Sequence, residues 1–130
     1  MSEENVEIVR RAVDAFNARD TERLLSMCDA EIEFRSAVEQ KTYRGLDELV
    51  RYREGVAAVM EDFHVEDSRF LDARGDRVVQ LYRLVGRGAG SGVPVSREVG
   101  ALWQLRNGKL FKGEVFLDQR QALEAAGLRE

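Results

Sequence analysis

Apolar residues recur at helical spacing along the first part of the chain and at strand spacing along the second. From Glu3 to about Ala18, Val6, Val9, Val13 and Phe16 fall three or four apart, with Ile8, Ala12 and Ala15 widening the stripe, which predicts a helix with a broad buried face. "NARD" ends it, and Asp20 is placed to cap a short second helix, "TERLLSMC", that turns Leu24, Leu25 and Met27 inward. "AEIEFRSA" alternates, predicting a short strand with Ile32 and Phe34 on one side and Glu33 and Arg35 on the other. After a turn at "YRG", "LDELVRYREGVAAVM" returns to helical spacing, with Leu46, Leu49, Val56 and Met60 on or near one face.

From Asp62 onward the rhythm is that of strands: "FHVEDSRFLDA", "DRVVQLYRLVGR", "VPVSREVGALWQLR" and "KLFKGEVFL", separated by "RGD", "GAGSG" and "NG". Short connections between consecutive strands imply an antiparallel meander. The chain closes on "DQRQALEAAGL", where Asp118 and Gln121 form a capping-box-like start and Gly127 a stop. The order predicts a single α+β domain over residues 1–130: three N-terminal helices on one face of a curved, mainly antiparallel sheet, then a short C-terminal helix. In the last strand one parity carries Phe111, Gly113, Val115 and Leu117. A glycine in the middle of an apolar strand face leaves room, either for a neighbouring side chain or for a ligand.

Composition narrows the function classes. The 130 residues include 20 basic and 24 acidic side chains, a net charge of −4, and the signs alternate along most of the chain. That gives no basic field for nucleic acid. One cysteine, Cys28, and one histidine, His64, cannot assemble a zinc site of the Cys and His kind or a disulfide framework. The N-terminus lacks the basic start and apolar run of a signal peptide, and no apolar run reaches membrane-spanning length, so a soluble, cytoplasmic protein is expected. No metal, flavin or nucleotide cofactor is indicated. "GRGAGSG" fails the phosphate-loop fingerprint at Ser91 or Val93 and precedes a strand, so it reads as a flexible hairpin.

The order of elements, with "AFNARDTERLLSMCDAEIEF", "YRGLDEL" and "LWQLRNGKLFKGEVFLDQRQALEAAGL", resembles the nuclear-transport-factor-2-like superfamily, and within it SnoaL-like proteins, the group of polyketide cyclases and relatives of ketosteroid isomerase. The resemblance spans the whole chain and implies an open cone of helices around a bent sheet. Fold alone leaves the reaction open. Matched residue by residue, the catalytic base of ketosteroid isomerase falls on Phe34, its oxyanion tyrosine on Ala12 and its oxyanion aspartate on Ala101. The histidine and aspartate of the cyclases fall on Gly113 and Val115. All five roles are empty, which leaves an apolar cavity toward which the same matching turns Tyr52 and Leu117.

Within such a cone Arg83 is the candidate cation, being the only charge on the parity of Val79, Leu81 and Val85; its guanidinium would hold a carboxylate or enolate oxygen. On the other parity Tyr82 is inside, and Arg83 pairs outside with Glu98 or Glu114. Tyr52 is a hydrogen-bond donor to a ligand oxygen or a half-buried packing residue. Phe16, Phe34, Trp103 and Phe111 supply apolar shape, as do Val115 and Leu117. His64 has the right chemistry for a general base but lies among acids, "EDFHVED", where exposure is equally natural. Cys28 reads as a small packing residue, and Glu33 and Arg35 as a solvent-facing or subunit-facing pair. The reading is a binder of a small hydrophobic metabolite, with isomerase, cyclase or dehydratase chemistry lacking the usual acid and base. The alternative is a non-catalytic interaction module with a filled core. The resemblance also implies a homodimer, formed through the outer face of the sheet.

Overall fold

The computed structural model describes residues 2–37 and 39–128. Helix α1 (Ser2–Asn17) is followed by α2 (Thr21–Ser26), β1 (Cys28–Ser36), β2 (Lys41–Arg44), α3 (Gly45–Val59), β3 (Met60–Ala73), β4 (Arg77–Gly88), β5 (Pro94–Arg106), β6 (Lys109–Phe116) and α4 (Gln119–Ala125). The apolar stripe of α1 is realised: Val9, Ala12 and Ala15 are buried. Its end is clamped to β3 by Asn17, whose Nδ2 donates to the Val65 carbonyl (2.9 Å) and whose Oδ1 accepts from the Val65 amide (2.8 Å). The Asp20 carboxylate caps α2 by accepting from the Arg23 amide at 3.1 Å.

The six strands form one open sheet in the order β2-β1-β6-β5-β4-β3. Strands β3 to β6 are the expected meander, whereas β1 returns to lie parallel to β6. Strand β2 occupies the segment read as a turn. It has four residues of which only Tyr43 is buried, too few for alternation to show in the sequence. The last hairpin turns on Asn107 and Gly108, both at positive φ (53° and 76°), as the Asn-Gly pair predicts. Strand β3 breaks register twice, between Glu61 and His64 and between Glu66 and Arg69, with Asp62 and Asp67 at positive φ. Such irregularities bend a strand and curl the sheet around the helices.

Adjacent residues of β4 show the two layers. Val78 and Tyr82 belong to the main core beneath α1 and α3, while Val79 and Leu81 join Ala73, Ala122, Leu123 and Ala126 in a second cluster. Helix α4 thus covers the opposite face of the sheet from the three N-terminal helices. Asp118 caps it, accepting from the Arg120 amide at 2.7 Å. Gly100 lets it settle closely: a Cβ there would stand 2.7 Å from the Ala122 Cβ.

The space at Gly113 is filled by a neighbour. Trp103 is its register partner on β5, and its indole lies across the glycine so closely that an added Cβ would stand 2.5 Å from Cε3 and closer still to Cζ3. We therefore expect Gly113→Ala to lower stability by about 1–3 kcal/mol, the usual range for overfilling a packed interior. In a Trp103→Leu background the same substitution is expected to cost less than half as much. Urea denaturation of the four proteins of this cycle measures both numbers; equal costs in the two backgrounds would show that the indole is not what excludes a side chain at 113.

Candidate functional site

Between the first three helices and the inner face of the sheet lies a cavity of about 120 Å³. Its helical wall is Val9, Ala12, Val13 and Phe16 of α1, Leu24 of α2, and Leu49, Tyr52 and Arg53 of α3; the sheet contributes, among others, Ile32, Phe34 and Ser36 of β1, Gln80, Tyr82 and Leu84 of β4, Trp103 of β5 and Val115 of β6. Aromatic rings form a continuous run through it. Tyr43 meets Tyr52 edge-on at 5.1 Å, Tyr52 meets Phe34 at 4.9 Å, and Phe34 stacks on Trp103 at 5.9 Å with an interplanar angle of 21°. The indole N–H of Trp103 donates to Gln80 Oε1 at 3.0 Å, and Gln80 Nε2 donates to Ser68 Oγ at 3.2 Å. A buried glutamine is thereby satisfied and the indole fixed in orientation.

Of the sequence candidates, Phe16, Phe34, Tyr52, Trp103 and Val115 meet in this cavity. Arg83, Phe111 and Leu117 do not. Strand β4 presents its even residues inward, so Tyr82 lines the cavity and Arg83 lies on the outer face, its Nη1 3.8 Å from Asp67 and its Nη2 3.5 Å from Glu98. Phe111 is displaced by a bulge. Gln104 pairs with Lys112 but Leu105 with Leu110, so β6 carries one extra residue at Phe111 and changes parity there. Leu110 turns inward, and Phe111 lies beneath the Arg106 guanidinium, 3.7 Å from its Cζ. Leu117 falls past the end of β6, in the bend that leads to α4.

His64 sits between two cavity residues, Phe63 and Val65, and is not one of the lining residues. Its Nδ1 meets the Asp62 carbonyl at 2.6 Å and its Nε2 the Glu66 carboxylate at 2.8 Å, and these partners raise its pKa. Glu33 and Arg35 border a groove on the outer face, with Arg35 Nε 4.0 Å from Glu114. The positions matched to catalytic groups of relatives hold no titrating side chain: Ala12, Phe34 and Val115 line the cavity, Ala101 is fully buried on the inner face, and Gly113 is covered by Trp103.

The residue that sequence reasoning missed is Arg53. Its guanidinium lies over the Phe16 ring, 4.7 Å from the centroid. Its Nη1 is buried and has no acceptor among the described residues. Burial, then the nearby Arg19, lowers its pKa, though an arginine stays charged at any physiological pH. The signal was present: Leu46, Leu49, Arg53, Val56 and Met60 follow one another at spacings of three and four, so Arg53 interrupts an apolar helix stripe.

Inside the cavity both phenols stay protonated. Burial, with Glu39 and Tyr43 adding to it, pushes Tyr52 up to about 12, and burial with Tyr52 alongside raises Tyr82 well above its ordinary value. Each therefore offers an O–H donor at neutral pH.

The profile of the SnoaL-like domain matches residues 9–112. The chain belongs to the SnoaL-like family. No curated protein matches it. Among solved structures, a nuclear-transport-factor-2-like protein of unknown function from Burkholderia pseudomallei is 19% identical with a TM-score of 0.80, covering 95% of this chain and 97% of that one. A protein from Catenulispora acidiphila with a ketosteroid isomerase-like fold, in complex with trimethylamine, is 20% identical (TM-score 0.78; 95% and 94% covered). TerC co-crystallized with polyporic acid is 22% identical (TM-score 0.79; 95% and 97% covered). At these identities the likeness establishes the fold of the SnoaL-like chain. Among the described residues no helix is long and apolar enough to cross a membrane.

Cys28 gives the site a chemical handle. Its Sγ donates to the Leu24 carbonyl at 3.4 Å, and burial pushes its pKa up to about 11 against a partial opposing pull from Lys109. Alkylation by iodoacetamide at pH 8.5 is expected to be at least tenfold slower in the folded SnoaL-like protein than in urea, since the thiolate is the reactive form. The unfolded thiol releases its proton near 9 and the folded one near 11, so the contribution to stability is intact below pH 9 and declines as pH rises toward 11. Urea midpoints at pH 8, 9 and 10 are expected to fall, and Cys28→Ala to flatten the first part of that fall.

Proposed function

We propose that this SnoaL-like protein binds a compact, mainly apolar ring compound in the cone, with the ring against Phe34 and Trp103 and an oxygen of the ligand accepting from Tyr52 or Tyr82. The observation that carries the reading is the lining: an aromatic and aliphatic wall with a few convergent polar groups, which is the usual make-up of a small-molecule site. Size supports a single ring, because an apolar cavity of roughly 150 Å³ takes up one benzene molecule. A steroid or fused polycycle is far larger. The co-crystallized ligand of TerC, polyporic acid, is consistent with organic ligands in this fold.

Isomerisation, cyclisation or dehydration in this cavity would draw on the two phenols as donors to a developing oxyanion. At the five matched positions no side chain is available to remove a proton. Binding is therefore the core of the proposal, and turnover would use an external base or a substrate group. The proposed compartment is the cytoplasm.

Thermal-shift measurements with phenols, lactones, cyclic ketones and aromatic acids test this. A ligand at a hundred times its dissociation constant adds roughly 2.7 kcal/mol. Single-ring compounds are expected to raise Tm and steroids to leave it unchanged, and Val13→Phe, which fills the cavity, is expected to abolish the response. Failure of every ring class to shift the wild-type protein would end this reading.

The expected homodimer is supported by the outer face, where a groove bordered by Glu33, Arg35, Arg77, Lys112 and Glu114 alternates in charge and so can match a second copy of itself. Sedimentation at micromolar concentration should give twice the monomer mass; a monomer would dismiss the pairing without touching the cavity.

A further inference from the structure

Next to the cavity lies a smaller space of about 50 Å³, and the two share Phe16, Tyr52, Arg53 and Phe63 as a common rim. The remaining walls of this vestibule are Arg19, Val56, Ala57 and Met60. It contains two arginines and no acid, in a chain whose net charge is −4. Among the described residues neither Arg19 nor Arg53 has a carboxylate within the 4 Å at which the other arginine ion pairs form.

Resting on the proposal that the cone binds a ring compound, we infer that the ligand is an aromatic or cyclic acid whose carboxylate lodges in the vestibule between Arg53 and Arg19 while its ring enters the cone. Three observations converge. Arg53 borders both spaces, so one guanidinium can hold a group in the vestibule while its stem lines the cavity. The Nη1 hydrogens are buried without an acceptor, and an orphaned charged donor is costly unless something supplies the missing acceptor. The Phe16 ring 4.7 Å from Cζ holds the guanidinium at the rim by cation–π attraction, where its fork can meet a two-oxygen partner. The vestibule is too small for a second ring but takes a carboxylate.

Calorimetry with benzoate, phenylacetate and 3-phenylpropionate, each against its neutral amide, separates this inference from the reading beneath it. For the acid whose length fits, the wild-type protein is expected to prefer acid over amide at least tenfold, with the preference weakening as salt rises. In Arg53→Met the preference is expected to vanish while amide affinity stays within about twofold, and Arg19→Gln to remove part of it. Amides and acids binding equally to the wild type would overturn the anion site and leave the ring site standing; no binding of either would overturn both. An acid preference that survives in the Arg19→Gln, Arg53→Met double variant would also overturn it. Stability is the independent control: removing an orphaned charge should hold or raise the Tm of the ligand-free protein. A fall of more than about 5 °C in Arg53→Met would mean that the guanidinium is a structural brace instead.

Discussion

The indole of Trp103 resting on the bare backbone of Gly113 is the contact around which the inner face is arranged. Because no side chain stands at 113, the ring crosses β6 and reaches Phe34 on β1, joining β5 to a strand with which it shares no hydrogen-bonded seam. Its N–H draws Gln80 of β4 into position, and Gln80 in turn reaches Ser68 of β3. Through Phe34 the same ring leads to Tyr52 on α3 and from there to Tyr43 on β2, the opposite edge of the sheet. One residue thus ties together the full width of the sheet. Aromatic pairs of this kind contribute about 0.5–1.5 kcal/mol each beyond burial, and they also fix orientation. The floor of the cavity is a by-product of that arrangement.

Polarity in the cavity follows from where such constraints leave off. The indole N–H is satisfied by Gln80, so the donors that face the cavity without a partner of that kind are the phenols of Tyr52 on α3 and Tyr82 on β4 and, toward the vestibule, the guanidinium of Arg53. Donors predominate. For the proposed ligand that bias would favour acceptor oxygens over cations, adding a chemical filter to the size limit set by the cavity.

The element order, the meander, the Asn-Gly hairpin and the cap at Asp118 were legible because each rests on local chemistry that a short window contains. Inward and outward assignment on the strands was less legible, because parity depends on neighbours. At β6 a single extra residue reverses it, sending Leu110 inward and Phe111 out. At β4 the two parities are nearly equally apolar, and only the packing of α4 on Val79 and Leu81 makes that face a second core and leaves Arg83 at its margin. A lone charge that interrupts an apolar face and borders the cavity is Arg53, on a helix whose 3.6-residue period is more reliable than strand parity. The role of Gln80 is visible only from its neighbours, the Trp103 indole on β5 and Ser68 on β3.

The parallel seam between β1 and β6 has a consequence for how the protein comes to exist. Phe34 is paired with Gly113, about 80 residues later in the chain, and the seam forms only after the whole meander between them has been laid down. On the ribosome, α1, α2, β1 and α3 emerge first with Val9, Ile32, Phe34 and Tyr52 uncovered, and they have no sheet on which to close until β6 is released from the exit tunnel. The cone is therefore a late structure, and the nascent chain is most exposed to unwanted association during synthesis of the very strands that will finally cover it.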